Sequence, residues 1–303
     1  RKFFNELAEQ FKKFLLHYCL ANGDAEEPTP AKKLMEWYIE RIIKIADVKK
    51  FLKHLDLHAS YYATFSKPNR CDAREKERKS IFQFLDALNA TRCYPLLLAG
   101  AENIKKEKDF VKLCRAVEVL TFRHSTILKR DGKTLEGVFY RTIKKVRAGK
   151  SIDEVLQDLK KQEAVKDDGL FQIAFSQCSA KDHKVAKYIL WKIEEATIGN
   201  KQLKIQWDDA TVEHILAKKL RWDGREDYIE RLGNLTLLSA PFNSDASNKS
   251  FLEKRKSVYE KDRRIQLTQD LKKYPDFTKD TIIERQKEFA ELALKIWGVK
   301  NIK

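Results

Sequence analysis

His214 follows directly on Glu213 in the segment TVEHILAKKLRWDGREDYIERLGNLTLLSAPFNSDASNKSF, residues 211–251. Two asparagines come after it: Asn234 in a second apolar run, and Asn243 at the start of a basic helical stretch. A histidine, a carboxylate and an amide carried on strand, strand and helix can hold one divalent cation beside one general base. That combination suits the cutting of a phosphodiester. The bond resists attack because it is anionic and its leaving group is poor. A cation can neutralise charge developing on the phosphorane and the departing oxygen. A neutral imidazole can take the proton from the attacking water, an effect worth roughly 10²–10⁴ in rate, and histidine titrates in the range the task needs. Oxygen ligands from carboxylate and amide suit Mg²⁺ (or Mn²⁺).

The elements that must position these residues can be read from periodicity. ATVEHIL (210–216), rich in β-branched residues, predicts a strand, and LGNLTLLSA (232–240), bounded by Gly233 and Pro241, predicts another. LKIQW (203–207) predicts a short strand before them. From Ser247 to about Arg264 the pattern turns helical, and a last amphipathic helix is predicted over 279–297, ending at Trp297-Gly298. One difficulty is built in. Neighbours on a regular strand face opposite ways, so Glu213 and His214 share a site only if the strand bends or ends there. Asp208 or Asp209 is the alternative acid.

Upstream, residues 1–200 read as helix after helix, with little Gly or Pro, as in a bundle. Phe3, Leu7, Phe11 and Phe14 recur at helical spacing. Pro28 and Pro30 punctuate, and 31–55 reads as one long amphipathic helix. Further helices are predicted over 76–90, 107–128, 134–147, 151–162 and 182–196. Ile198-Gly199-Asn200 is a turn signal that divides a helical domain, 1–200, from a domain of mixed structure, 201–303.

The chain as a whole bounds the partners. Its 303 residues are 43% hydrophobic and carry a formal net charge of +16, so it is globular and a polyanion is its natural partner. A Lys-rich soluble surface is the plainer reading of the same charge. No apolar run is long enough to span a bilayer. Cys19, Cys71, Cys93, Cys114 and Cys178 are scattered and odd in number, which argues against a structural zinc site or a disulfide framework and points to buried thiols in a reducing cytosol. Met35 is the only methionine, so the chain reads as a fragment or a processed product with something missing upstream. His17, His54, His58, His124 and His183 lack the company His214 keeps and read as surface or satisfied core residues. Arg123, beside His124, could meet DNA or cap a helix. The tryptophans read as core, with Trp222 placed near the site.

VEHIL, GNLTLLS and FNSDASNKSFLEKR together resemble the HNH (His-Me finger, ββα-metal) endonuclease domain. More closely, 205–297 is similar to the C-terminal nuclease domain of GmrSD-type modification-dependent restriction enzymes, and to the related domain of the SspE-like proteins. The resemblance implies a mainly α chain: an N-terminal helical bundle, then a small ββα-metal nuclease domain with a C-terminal helix. It implies a metal-dependent DNA endonuclease of anti-phage defence, cytoplasmic and bacterial or archaeal. Double-stranded foreign DNA, modified, would be its substrate. An upstream nucleotide-dependent sensor domain or subunit would be the part missing here. By the same resemblance His214 is the general base, Asn234 holds the loop and orients the histidine, and Glu213 and Asn243 ligate Mg²⁺ or Mn²⁺. Lys249, Lys254 and Arg255 on or before the motif helix are candidates to grip flanking phosphates; a solvated basic face is their alternative. Asn248 suits a cap or turn. Ala217 departs from the family pattern, which has proline there. A catalytically decayed DNA-binding module of the same fold is the alternative function.

Overall fold

A helix that is apolar all round belongs in the middle of a bundle, and YPLLLAGAEN is such a segment. In the computed structural model, which describes residues 2–23, 34–44, 48–72, 75–162, 167–199 and 203–302, it forms a helix whose residues Leu96, Leu97 and Leu98 have no exposed surface. The chain falls into two compact units, 1–166 with 302–303, and 167–301.

The first unit is helical throughout its described residues. Its helices are α1 (Lys2–Asn22), α2 (Leu34–Lys44), α3 (Val48–Ser66), α4 (Lys76–Ala87), α5 (Tyr94–Asn103), α6 (Glu107–Thr121), α7 (Gly132–Arg147) and α8 (Ile152–Lys160). Helix α5 packs against α1, α3, α6 and α7. The expected single helix over 31–55 is described as α2 and the start of α3. Pro28 and Pro30, and the side chains of Phe3 and Leu7, lie outside the described residues. Helix α6 widens at its end into a π turn, Phe122–Ile127, and buries Arg123 and His124 completely or nearly so. Neither is available to a surface ligand. Side-chain caps start two of these helices: Asp131 accepts from Lys133 N at the start of α7, and Ser151 with Glu154 forms a reciprocal capping box on α8.

The second unit is α9 (Asp168–Ser176), α10 (His183–Ile198), β1 (Ala210–His214), α11 (Arg225–Tyr228), β2 (Leu235–Ser239), α12 (Ala240–Ala246), α13 (Phe251–Lys254), α14 (Gln266–Gln269) and α15 (Lys279–Trp297). The division falls at 166/167 rather than at 200, because α9 and α10 pack with the residues that follow them. Tyr188 of α10 accepts from Trp297 Nε1 of α15 at 2.7 Å, and Glu194 of α10 accepts from the backbone of Gln266 and Leu267 at 2.7 and 2.8 Å. The protein is mainly α, with one two-stranded sheet among its described residues. No helix among them is long and apolar enough to cross a membrane.

Strands β1 and β2 are antiparallel, with Ala210 opposite Ser239 and His214 opposite Leu235. Both pack against α10 and α12. All five residues of β2 are buried, the polar Thr236 and Ser239 among them, so its leucines need not alternate with exposed polar positions. LKIQW is not a strand; of its apolar residues only Ile205 is buried, and among the described residues no strand lies beside it to supply hydrogen bonds. The helix expected over 247–264 is shorter. It runs as α13 and a π turn, Arg255–Tyr259, started by a capping box of Ser250 and Glu253. Asn243 belongs instead to α12, which Pro241 opens and Ser247, at φ +40°, closes.

The most demanding backbone contact in this unit is at Gly233. A Cβ there would lie 2.1 Å from the carbonyl oxygen of Ile282 in α15. Around it, Gly233 N donates to Gln286 Oε1 at 2.8 Å, and the buried Arg285 donates to the carbonyls of Gly233 and Leu235 at 2.9 and 2.6 Å. Gln286 also donates to Phe175 O at 3.0 Å, tying α9 to the same point. Gly233→Ala is therefore expected to cost about 2 kcal/mol or more. Gly137→Ala, where a Cβ on α7 meets nothing closer than the tip of Arg141 at 3.6 Å, should gain up to about 1 kcal/mol. Chemical denaturation of the two variants checks both signs; equal midpoints would show that the α15 contact is not so tight.

Candidate active site around His214

His214 ends β1, and the chain turns away from the sheet directly after it. Asn234 makes that turn. Its side chain is fully buried; Oδ1 accepts from Leu216 N at 2.9 Å, while Nδ2 donates to Leu216 O at 3.3 Å and Ile229 O at 3.1 Å. Its backbone carbonyl accepts from Ile215 N at 2.8 Å. All of the amide's contacts are to backbone, so Asn234 sets the path of the loop after His214. Ala217, at the position of the family's proline, is buried within that loop.

The imidazole of His214 is nearly buried, and its Nε2 lies 3.1 Å from Glu230 Oε2. The other carboxylate oxygen, Oε1, takes Lys218 Nζ at 2.6 Å. The exposed ring of His183, at the start of α10, lies edge-on with centroids 6.2 Å apart. A carboxylate accepts only, so the contact with Glu230 places the histidine's proton on Nε2 and its lone pair on Nδ1. Burial pulls the His214 pKa down to about 4; Glu230 works against that, while Lys218 and His183 add to it. For Glu230, burial works upward, but the hydrogen bonds from Lys218 and His214 carry it below the ordinary carboxylate value. His214 is thus a neutral imidazole at neutral pH. Its folded value lies below the unfolded 6.5. The associated stability is present in full above that value and is lost as pH falls through the folded one.

Glu213 leads elsewhere. Its Oε1 accepts from Lys254 Nζ at 2.6 Å, and the same ammonium donates to the carbonyls of His214 at 2.6 Å and Ile215 at 3.4 Å. Lys254 has no exposed surface. It therefore cannot lie on a phosphate-gripping face, which corrects the expectation from sequence: the α13 position that looks like part of a basic stripe points into the core. Burial pushes the Glu213 carboxyl up and the Lys254 ammonium down, and the attraction between them opposes both shifts. With three oxygens around one ammonium, we take the pair as charged.

The remaining sequence candidates divide. Asn243 is half-buried on α12, which packs against both strands. Lys249 is exposed. Arg255 is half-buried and donates from Nη1 to Tyr274 O at 3.0 Å, so part of its guanidinium is spent on the fold. Asp208 and Asp209 precede β1, and Asp209 O accepts from Ala240 N at 2.9 Å. Trp222 is half-buried against the core of this unit. Beside it, Lys218, Lys219, Arg221 and Arg225, with the carboxylates of Asp223, Glu226 and Asp227 among them, line an open cleft of about 1080 Å³ formed by the β1–β2 connection. Glu230, Lys218 and His183 were not legible from motif spacing. A carboxylate sixteen positions beyond His214 has no periodic relation to it, and only the turn made by Asn234 brings it back.

As metal ligands, Glu213 and Asn243 fit a hard cation in kind, since they offer carboxylate and amide oxygen. In charge they fit less fully: Lys254 already takes Oε1 of Glu213 and offsets its charge, which leaves Oε2 as the atom a cation could use.

Residues 164–292 match the family model of the GmrSD restriction endonucleases, C-terminal domain. The match covers nearly all of the second unit and makes it similar to the nuclease part of restriction endonucleases, with DNA as the implied substrate. None of the curated proteins compared with the chain matches it.

Removing the buried ammonium tests the Lys254 pair. Lys254→Met leaves Glu213 buried without its cation, an effect of about 3 kcal/mol or more. Lys249→Met, at an exposed position, should change stability by less than about 0.5 kcal/mol. The double variant Glu213→Gln with Lys254→Met should lose less than the sum of its singles. Denaturant unfolding of the wild type, the two single variants, the double variant and the Lys249→Met control decides; additive losses would mean the two side chains are not coupled.

Proposed function

We propose that the second unit is a metal-dependent DNA endonuclease of HNH type, in which His214 is the general base. What carries this reading is the placement of a neutral, oriented imidazole at the end of β1 within a segment matching restriction endonucleases. His214 Nδ1 accepts the proton of the attacking water. Glu230 acts as a positioning residue: it holds Nε2–H and favours the imidazolium once the proton has moved. Asn234 keeps the loop, and so the ring, in place. Asn243 Oδ1 and Glu213 would hold the cation. When bound, Mg²⁺ or Mn²⁺ would supply positive charge to the phosphorane oxygens and the leaving oxygen. Lys249 and the cleft residues Lys218, Lys219 and Arg221 would meet DNA phosphates, with Lys254 serving the fold instead. Foreign, modified DNA as the substrate and an upstream nucleotide-dependent sensor as the gate belong to the same proposal, as does a cytoplasmic setting in a bacterium or archaeon.

The second reading, a decayed module that binds DNA without cutting it, draws support from the occupation of Glu213 by Lys254. One experiment separates the two. Supercoiled plasmid with Mg²⁺ or Mn²⁺ should be nicked by the wild type. Nicking should stop with EDTA and fall by about 10²–10⁴ in His214→Ala. No nicking alongside salt-sensitive DNA binding would favour the decayed module, and full activity in His214→Ala would remove that residue from the chemistry.

The pH profile tests the base itself. Because His214 is neutral down to about pH 4, the acid limb of kcat/KM should fall near that pH rather than near the free histidine value. Glu230→Gln removes the charge that raises the imidazole, so the limb should move lower still, with activity down by about 10–100-fold. A limb that stays put in that variant would assign it to another group.

A further inference from the structure

In the first unit, His54 and His58 stand one turn apart on α3, so their rings share a face. The ring centroids are 4.4 Å apart. Across from them, Glu102 of α5 sets Oε1 2.6 Å from His54 Nε2 and Oε2 3.2 Å from His58 Nε2. Two ring nitrogens and a carboxylate oxygen lie within 4.8 Å of one another. The nuclease reading makes no use of these residues, and they lie outside the matched segment 164–292.

From this geometry we propose that His54, His58 and Glu102 form a second cation site, for Zn²⁺ or a comparable first-row divalent ion. Two imidazoles and one carboxylate are the donors such ions take, whereas Mg²⁺ and Ca²⁺ prefer oxygen alone. The outer contacts suit the purpose. Tyr18 Oη on α1 sits 2.7 Å from His54 Nδ1, the nitrogen that must be steadied when Nε2 binds an ion. His58 is completely buried, and its Nδ1 has no hydrogen-bond partner, so its ring is held by packing and by what Nε2 binds. Glu102 and His54 are about one-third exposed, at 29% and 32%, which gives an ion a path in and leaves a fourth position for water. The ion would pin α3 to α5, with α1 attached through Tyr18.

The test uses the full chain, stripped with a chelator and dialysed. Titration with Co²⁺ should give the visible absorption of a tetrahedral site at one equivalent, and Zn²⁺ should displace it. Glu102→Gln and His54→Gln, both at partly exposed positions, should weaken Co²⁺ binding at least about 100-fold, and Tyr18→Phe about 10-fold. His214→Ala should keep the full signal. Circular dichroism confirms that each variant is folded. Three results would overturn the proposal: no Co²⁺ signal in the wild type, a signal surviving in Glu102→Gln, or a signal lost in His214→Ala. None of them depends on DNA cleavage, so this proposal and the nuclease reading fail separately.

Discussion

The ammonium of Lys254 has no surface open to solvent and must therefore find its oxygens within the protein. It finds them in Glu213 and in the carbonyls of His214 and Ile215, that is, in the last two residues of β1 and the first residue after it. A buried charge tolerates little displacement, so α13 and the end of β1 are held in one relation. The cost of burying the pair is recovered as position: the backbone that carries the imidazole cannot slide along the sheet. This one contact also withdraws Lys254 from the substrate side of the site and occupies one of the two carboxylate oxygens of Glu213.

Two further anchors complete the frame. Asn234 closes the turn after His214 by satisfying backbone groups on both sides of it. Arg285 and Gln286 of α15 satisfy the backbone at Gly233, just before β2, and at Leu235, its first residue. Together they let a two-stranded sheet, marginal by itself, stand as a rigid platform. Glu230 then reaches His214 from the loop between the strands. The catalytic reading rests on this order: the fold holds the backbone, the backbone holds the loop, and the loop holds the ring.

The two halves of the protein place their titratable groups in contrasting ways. In the second unit one carboxylate faces one imidazole and a lysine, so the ring is oriented and its lone pair left for chemistry. In the first unit one carboxylate faces two imidazoles, an arrangement that gathers donors rather than orienting a base. Both clusters use histidine, but they differ in the number of rings that face one carboxylate.

Much of this was legible in the chain. Helices α4, α6, α7, α8, α10 and α15 follow from 3.6-residue periodicity, and β1 and β2 from their β-branched and apolar runs, because local pattern and tertiary burial agree there. Asn234 stood out within the motif, and its amide holds the backbone of Leu216 and Ile229 in the loop after His214. LKIQW was misread as a strand because its apolar residues are too few to show whether a partner strand exists. Lys254 was misread because a lysine beside an arginine on a helix looks like a solvated face; only packing shows that one of the two points inward. His54 and His58 carried a helical i, i+4 spacing, but Glu102 stands forty-four positions from the nearer of them. The sequence by itself determined residue types, periodicity and net charge, all of which are local sums. Which carboxylate meets which histidine was decided only by the tertiary structure, since such partners are chosen by the packing of distant elements and leave no period in the chain.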